Sequence, residues 1–255
     1  MEQGAAQGGP RRAEVRGELE RLRAAYAGGF GKARRRALRA AGRRLSRHLP
    51  QHFERLEGIA REAGVPPAWL CLAEAHARLS GRVRREESAL RLSLDLPAEL
   101  RERLVARRSR PDAGGFASVE LTCVHWASAI GGVNSRGLAV LCSEDRAGEQ
   151  LPLRFLVQEL LLRASGLDAG LEHLRRRARY AGGSGTLALA GPAGAARLVE
   201  IEAGRVLADR ALEPGPPAPR CALRLDPRRR SLAWSDRAGG LLELRVEDEE
   251  KAADG

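Results

Sequence analysis

The sequence predicts an α+β layered domain in which helices cover antiparallel sheets. The first observation is element order. Helical spacing over residues 11–80 gives way to strand-like segments, then a helix pair over 152–179, then short strands to residue 246. The second is that strands and helices do not alternate singly, as a parallel βαβ fold requires. The third is the absence of any G-x-G-x-x-G or G-K-[ST] loop, which removes the usual nucleotide-binding folds.

A chain of 255 residues with 43% apolar content can bury a sizeable core. Aromatics are only 4%, so that core rests on Leu, Val and Ala. The net charge is +11, and of 44 basic residues only Lys32 and Lys251 are lysine. Arg, Ala, Gly and Pro are abundant together, which reads as the codon bias of a GC-rich bacterial genome. A basic surplus attracts polyanions without sequence preference. The aromatic platforms of single-strand binders are missing, so no specific nucleic-acid partner is expected.

Cys71, Cys123, Cys142 and Cys221 form no C-x-x-C pair, which argues for reduced thiols and a cytoplasmic location. No apolar leader follows the small polar stretch 1–10, and no run reaches the roughly 18 apolar residues of a membrane span. No cofactor is expected, and no His/Cys/Asp set has metal-ligand spacing.

Residues 1–10 read as a disordered leader. Residues 11–50 read as a basic helical segment. Leu38, Leu45 and Leu49 stand at helical intervals, opposite Arg34, Arg35, Arg36, Arg39, Arg43, Arg44 and Arg47. That polar side is read as a solvated face; a basic helical adaptor is the minority reading. A single domain is expected over 51–246, made of a helical hairpin (51–80) and a sandwich (86–246). In the hairpin, Phe53, Leu56, Ile59 and Ala60 form one stripe. Gly64-Val65-Pro66-Pro67 then ends one helix and starts the next.

Residues 116–122 read as a strand, alternating Phe116, Val119 and Leu121 against Ser118, Glu120 and Thr122 with one slip. The block Gly131-Gly132-Val133-Asn134-Ser135-Arg136-Gly137 reads as a tight turn feeding the apolar strand 138–142. Glu144 and Asp145 follow in a solvated loop. Leu153, Leu156, Val157, Leu160 and Leu161 share a helix face, and Asp168 is a good N-cap for the next helix. Residues 186–190 and 197–201 read as a hairpin. The tail 247–255 is charged.

The block Gly131 to Val140 resembles the "G-x-N-E-x-G-L-A-V" signature of the isopenicillin N acyltransferase-like family of N-terminal-nucleophile (Ntn) hydrolases. The likeness spans residues 56–209. Leu56-Glu57-Gly58-Ile59-Ala60, Leu151-Pro152-Leu153-Arg154-Phe155-Leu156, Leu167-Asp168-Ala169 and the hairpin after Gly182 are similar to family segments in order and spacing. The resemblance implies a four-layer αββα sandwich of the Ntn-hydrolase type, preceded here by the α-helical N-terminal region. It implies amide or thioester chemistry by a cysteine at the start of the first core strand. That cysteine is freed by self-cleavage, so that its own α-amino group acts as base.

Aligned on Ser88-Ala89-Leu90, the cysteine's place is held by Glu87, a weak nucleophile. Shifted by one, Ser88 becomes the nucleophile. The family's "N-x-D" reads Ser93-Leu94-Asp95, which retains the aspartate, and its "N-Y" reads Gly185-Thr186. Asn134 is retained. These departures imply a fold kept while its chemistry is lost, with a binding or accessory role. The alternative is an active self-processing amidase or acyltransferase using Ser88. The partners implied are a small amide or acyl ligand, or a protein such as an active paralogue. Apart from the family's own positions, Cys123 and His125 lie two apart on a probable strand and are weighed as a Cys-His pair. The alternative there is plain core packing. Cys71 is read as a core residue and His76 as a surface one, and Cys142 as core.

Overall fold

The computed structural model describes residues 12–25, 40, 42–76, 79–95, 98–111, 114–146, 151–215, 222–235 and 241–246. The expectations for residues 1–10, Arg34–Arg39, Cys221 and the tail 247–255 fall outside these residues.

Helices α1 (Arg12–Ala25), α2 (Pro50–Ala63) and α3 (Pro67–His76) precede the sheets. The α2–α3 break is as read: Gly64 closes α2 at φ 68°, and Pro67 opens α3. Leu56, Ile59 and Ala60 are buried, as their spacing requires. These helices close over Val124, Ala127, Leu151 and Phe155, so they share a core with the strands that follow.

Two antiparallel sheets form the centre. The smaller runs β1 (Ser80–Glu86), β2 (Ala89–Asp95), β10 (Ala222–Asp226), β11 (Ser231–Ser235) and β12 (Leu241–Arg245), in that spatial order. The larger is a meander in chain order. It comprises β3 (Leu104–Ser109), β4 (Ser118–Cys123), β5 (Gly131–Asn134), β6 (Ala139–Arg146), β7 (Ser184–Ala190), β8 (Ala196–Glu202) and β9 (Arg205–Ala211). A short helix α4 (Ala98–Arg101) links the sheets, and α5 (Arg154–Arg163) and α6 (Leu167–Arg177) lie between β6 and β7. Leu90, Leu92, Leu223 and Leu232 of the small sheet meet Val119, Leu121, Val133 and Leu141 of the large one. Each such side chain, once buried, contributes about 1.5–3 kcal/mol. On its other face the large sheet is covered by Leu156, Val157, Leu160 and Leu161 of α5, with Leu171 and Leu174 of α6. Stacked antiparallel sheets with helices packed against them are the αββα-type sandwich that the sequence predicts.

The details correct three readings. The sandwich begins at Ser80, not at residue 86, because the Arg-rich segment Ser80–Glu86 pairs with β2 along its whole length. The pair Gly131-Gly132 lies inside strand β5 rather than in a turn. Gly166 is the N-cap of α6, and Asp168 sits in its first turn, where a carboxylate still suits the helix dipole.

Candidate functional site

Residues Glu87 and Ser88 form the two-residue turn between β1 and β2, since Glu86 pairs with Ala89. Glu87 is exposed and has φ 51°, a left-handed conformation uncommon for a residue with a side chain. Its carbonyl accepts a bond from Arg85 Nε at 2.8 Å. Ser88 is half-buried. Asp95 ends β2 and pairs with Ser80. Seven residues of strand therefore separate Ser88 from Asp95, roughly 23 Å at strand rise. The structure does not bring these two together; it sets Asp95 beside the start of β1. Gly185 and Thr186 pair with Glu144 and Ser143 of β6, and Glu144 also bridges to Leu79. The start of β1, Asp95 and Gly185-Thr186 thus gather at one end of the sandwich, and the Glu87-Ser88 turn stands at the other.

Asn134 closes β5 and is fully buried. Its Nδ2 donates to Leu161 O at 2.9 Å and Ala164 O at 2.8 Å, at the end of α5. Its Oδ1 accepts from Arg136 N at 3.1 Å and Leu138 N at 2.9 Å. An amide offers two donors and an acceptor with two lone pairs, so this side chain is fully used. Helix C-terminal carbonyls lack intrahelical partners, and Asn134 supplies two of them. The turn after it needs Gly137, whose φ is 79° and whose added Cβ would lie 2.8 Å from Pro227 O.

The densest polar chemistry lies on the polar face of β4. Ser118, Glu120 and Thr122 are all buried, because α2 and α5 cover that face of the large sheet. Glu120 accepts from Arg107 Nε at 3.0 Å and Nη2 at 2.6 Å, and from Ser118 Oγ at 2.7 Å. Arg55 stands 3.8 Å away. Burial raises the carboxyl, but Arg107 and Arg55 outweigh it and hold its pKa at about 2. Burial, then Arg107, lowers Arg55 to about 9. Arg107 also donates to the carbonyls of Trp126, Ala127 and Ser128. Glu74 on α3 receives Ser128 N at 2.8 Å from the same loop, and its burial raises its pKa.

Glu144, read as solvated, is buried in β6. It takes Leu153 N at 2.8 Å and Arg154 Nη1 at 2.5 Å. The Arg154 guanidinium lies 4.4 Å from the centre of the Trp126 ring. These groups clamp the β4–β5 connection and the start of α5, so the arrangement is a buried scaffold with its charges paired.

Cys123 and His125 are buried at 0% and 1% exposure, away from any substrate approaching from solvent. Burial pushes the Cys123 thiol upward and lowers His125 to about 3. The His125 ring packs edge-on to Trp126 with centroids 5.8 Å apart. Cys71 is raised to about 12 by burial, and Cys142 is buried in β6. Arg43, Arg44 and Arg47 are exposed, as a solvated face requires. Among the described residues no group of His, Cys, Asp or Glu could hold a metal, and no helix is long and apolar enough to cross a membrane.

The fold is a pair of stacked antiparallel sheets with helices packed against the larger one. No protein-family profile matches the chain, and no curated protein matches it. Among solved structures, penicillin V acylase from Agrobacterium tumefaciens is similar, with TM-score 0.45 and 12% identity over 65% of this chain and 86% of that one.

Proposed function

We propose that this chain is an Ntn-fold protein of isopenicillin N acyltransferase-like descent whose catalytic chemistry is lost or altered, leaving a binding or accessory role. The observation that supports the reading is Glu87, the residue aligned with the family's cysteine: its carboxylate is a weak nucleophile, and it stands exposed in the β1–β2 turn. The spent amide of Asn134 supports the same reading, because a group donating to two helix carbonyls has no donor left for an oxyanion.

A second reading, self-cleavage before Ser88, has one observation in its favour. The bond after Glu87 lies in an exposed turn with a left-handed residue, the kind of backbone strain that collects at reactive peptide bonds. Mass spectrometry of the purified full chain separates the two. The proposal expects one polypeptide of 27.6 kDa. A fragment beginning at Ser88, abolished by Ser88→Ala, would replace it with the second reading.

A further inference from the structure

Two stretches far apart in the sequence meet at a pair of stacked rings. Residues 42–48 are helical and end on His48, and the last turn of α6 runs on through a short 3-10 helix to Tyr180. The rings of His48 and Tyr180 lie with centroids 4.2 Å apart and planes 19° from parallel. Arginines crowd this stack from both stretches. Arg177 and Arg179 bring their guanidinium carbons to 5.5 and 5.0 Å from the centre of the Tyr180 ring. Arg179 also donates to the Tyr180 hydroxyl at 2.9 Å. Arg44 stands one helical turn before His48, on the same face, and Arg47 is the chain neighbour of His48. Burial, then Arg47, Arg177, Arg179 and Arg44, lowers the His48 pKa, so all four charges are felt at one ring.

Little balances these charges. Among the described residues none of the four arginines makes an ion pair, whereas Arg175 and Arg176 of α6 pair with Asp209 and Glu172. Glu159 senses Arg177, but it is buried, and its two oxygens face His52 and His173 at 3.7 and 3.6 Å. Arg44, Arg47 and Arg179 are exposed and Arg177 is half-buried, so the cluster is open to solvent. Guanidinium forks match phosphate oxygens in pairs, and several of them converging favour one compact anion of high charge. A phosphate group carries about −1.5 to −2 at neutral pH, so two linked groups offset most of the cluster. We propose that Arg44, Arg47, Arg177 and Arg179, gathered around the His48–Tyr180 stack, form a binding site for a diphosphate group. The stack holds the two arginine-bearing stretches at a fixed spacing. Such a site is independent of the chemistry at Glu87 and Ser88.

Inorganic pyrophosphate is the probe, titrated by calorimetry into the full chain at low salt, where exposed charges are least screened. Arg44→Gln combined with Arg177→Gln should weaken binding about tenfold, the scale of two exposed ion pairs. Arg43→Gln combined with Arg176→Gln is the control, since it removes two charges from the same two stretches. Arg43 sits about 140° round the helix from His48, and Arg176 already faces Glu172. This control should stay within about twofold of the unaltered chain. NMR of the His48 ring gives a second readout. The groups facing it are the four arginines and the Tyr180 phenol, itself lowered first by the Arg179 hydrogen bond. A bound anion favours the charged imidazole, so pyrophosphate should raise the His48 titration midpoint, and the rise should vanish in Arg44→Gln with Arg177→Gln. ADP, titrated alongside, separates the two sources of the group. Affinity equal to or above that of pyrophosphate supports a diphosphate carried on a nucleoside, and weaker affinity supports the free ion. Absence of pyrophosphate binding, equal loss in the two double variants, or a His48 midpoint that pyrophosphate does not move overturns the proposal. Circular dichroism of each variant establishes that it is folded.

Discussion

Asn134 spends its whole hydrogen-bonding capacity on backbone, two carbonyls at the end of α5 and two amides in its own turn. Alanine at this position would leave four backbone groups to find other partners. The cost is about 2–4 kcal/mol at roughly 1 kcal/mol per buried bond. Asn134→Asp should cost at least as much, since it sets a carboxylate against two carbonyl oxygens and the negative end of a helix dipole. Urea unfolding followed by circular dichroism measures both. A midpoint equal to the unaltered protein's for either variant would show that Asn134 does not hold the end of α5 to its turn. Glu120 illustrates the same point by its charge: Arg107 and Arg55 hold it ionised in the interior.

At the scale of elements, period and punctuation carry most of the information. The stripe on α2, the Gly64–Pro67 break, the strand at β4 and the hairpin β7–β8 all follow from spacing and turn residues. Strand β1 does not, because Ser-Gly-Arg-Val-Arg-Arg-Glu has no apolar alternation. It is held by seven pairings with β2 that only the tertiary fold supplies. The consequence for the site is direct: the expected nucleophile position, Glu87-Ser88, lies in the turn between β1 and β2 rather than ahead of the first strand. Strand β5 is misleading in another way. An added Cβ at Gly131 would lie 2.5 Å from Leu141 Cδ2, and one at Gly132 2.5 Å from Val119 O and 2.7 Å from Leu161 Cδ1. The glycine pair therefore serves close packing of β5 with its neighbours and α5, a need that sequence alone presents as a turn. The buried polar scaffold is the least legible part. Glu74, Glu120, Glu144 and Arg154 come from separate elements, and nothing in their local sequence says that each will be covered.

For the whole molecule, the buried titratable groups set the response to acid. His52 lies under α5 and contacts the Phe155 carbonyl at 3.1 Å; burial lowers it from 6.5 to about 4, and Glu159 only partly opposes this. His125 is lowered to about 3. The unfolded chain binds protons on these rings near pH 6.5 while the folded chain refuses them, so folding stability falls as pH drops below 6.5. Glu120 acts in the same sense from about 4.5 down to about 2, because its folded carboxyl stays ionised longer than its unfolded one. Glu74, raised by burial, opposes them. The expected result is a lower urea midpoint at about pH 4.5 than at about pH 7.5, with the slope reduced in His52→Gln. An identical midpoint at both values would contradict this dependence.

The bridge between Leu79 and Glu144 ties a strand of the small sheet to β6 of the large one. The sandwich is therefore bound like a book, with a spine at Leu79–Glu144 and a fore-edge where β12 faces β3. Pages separate at the fore-edge first. Backbone amides of β3 and β12 should exchange with deuterated solvent well before Glu144 N, and slow uniform exchange along both edges would show instead that the two leaves are sealed all round. On this picture the two leaves part by degrees from one margin, and the binding holds to the last.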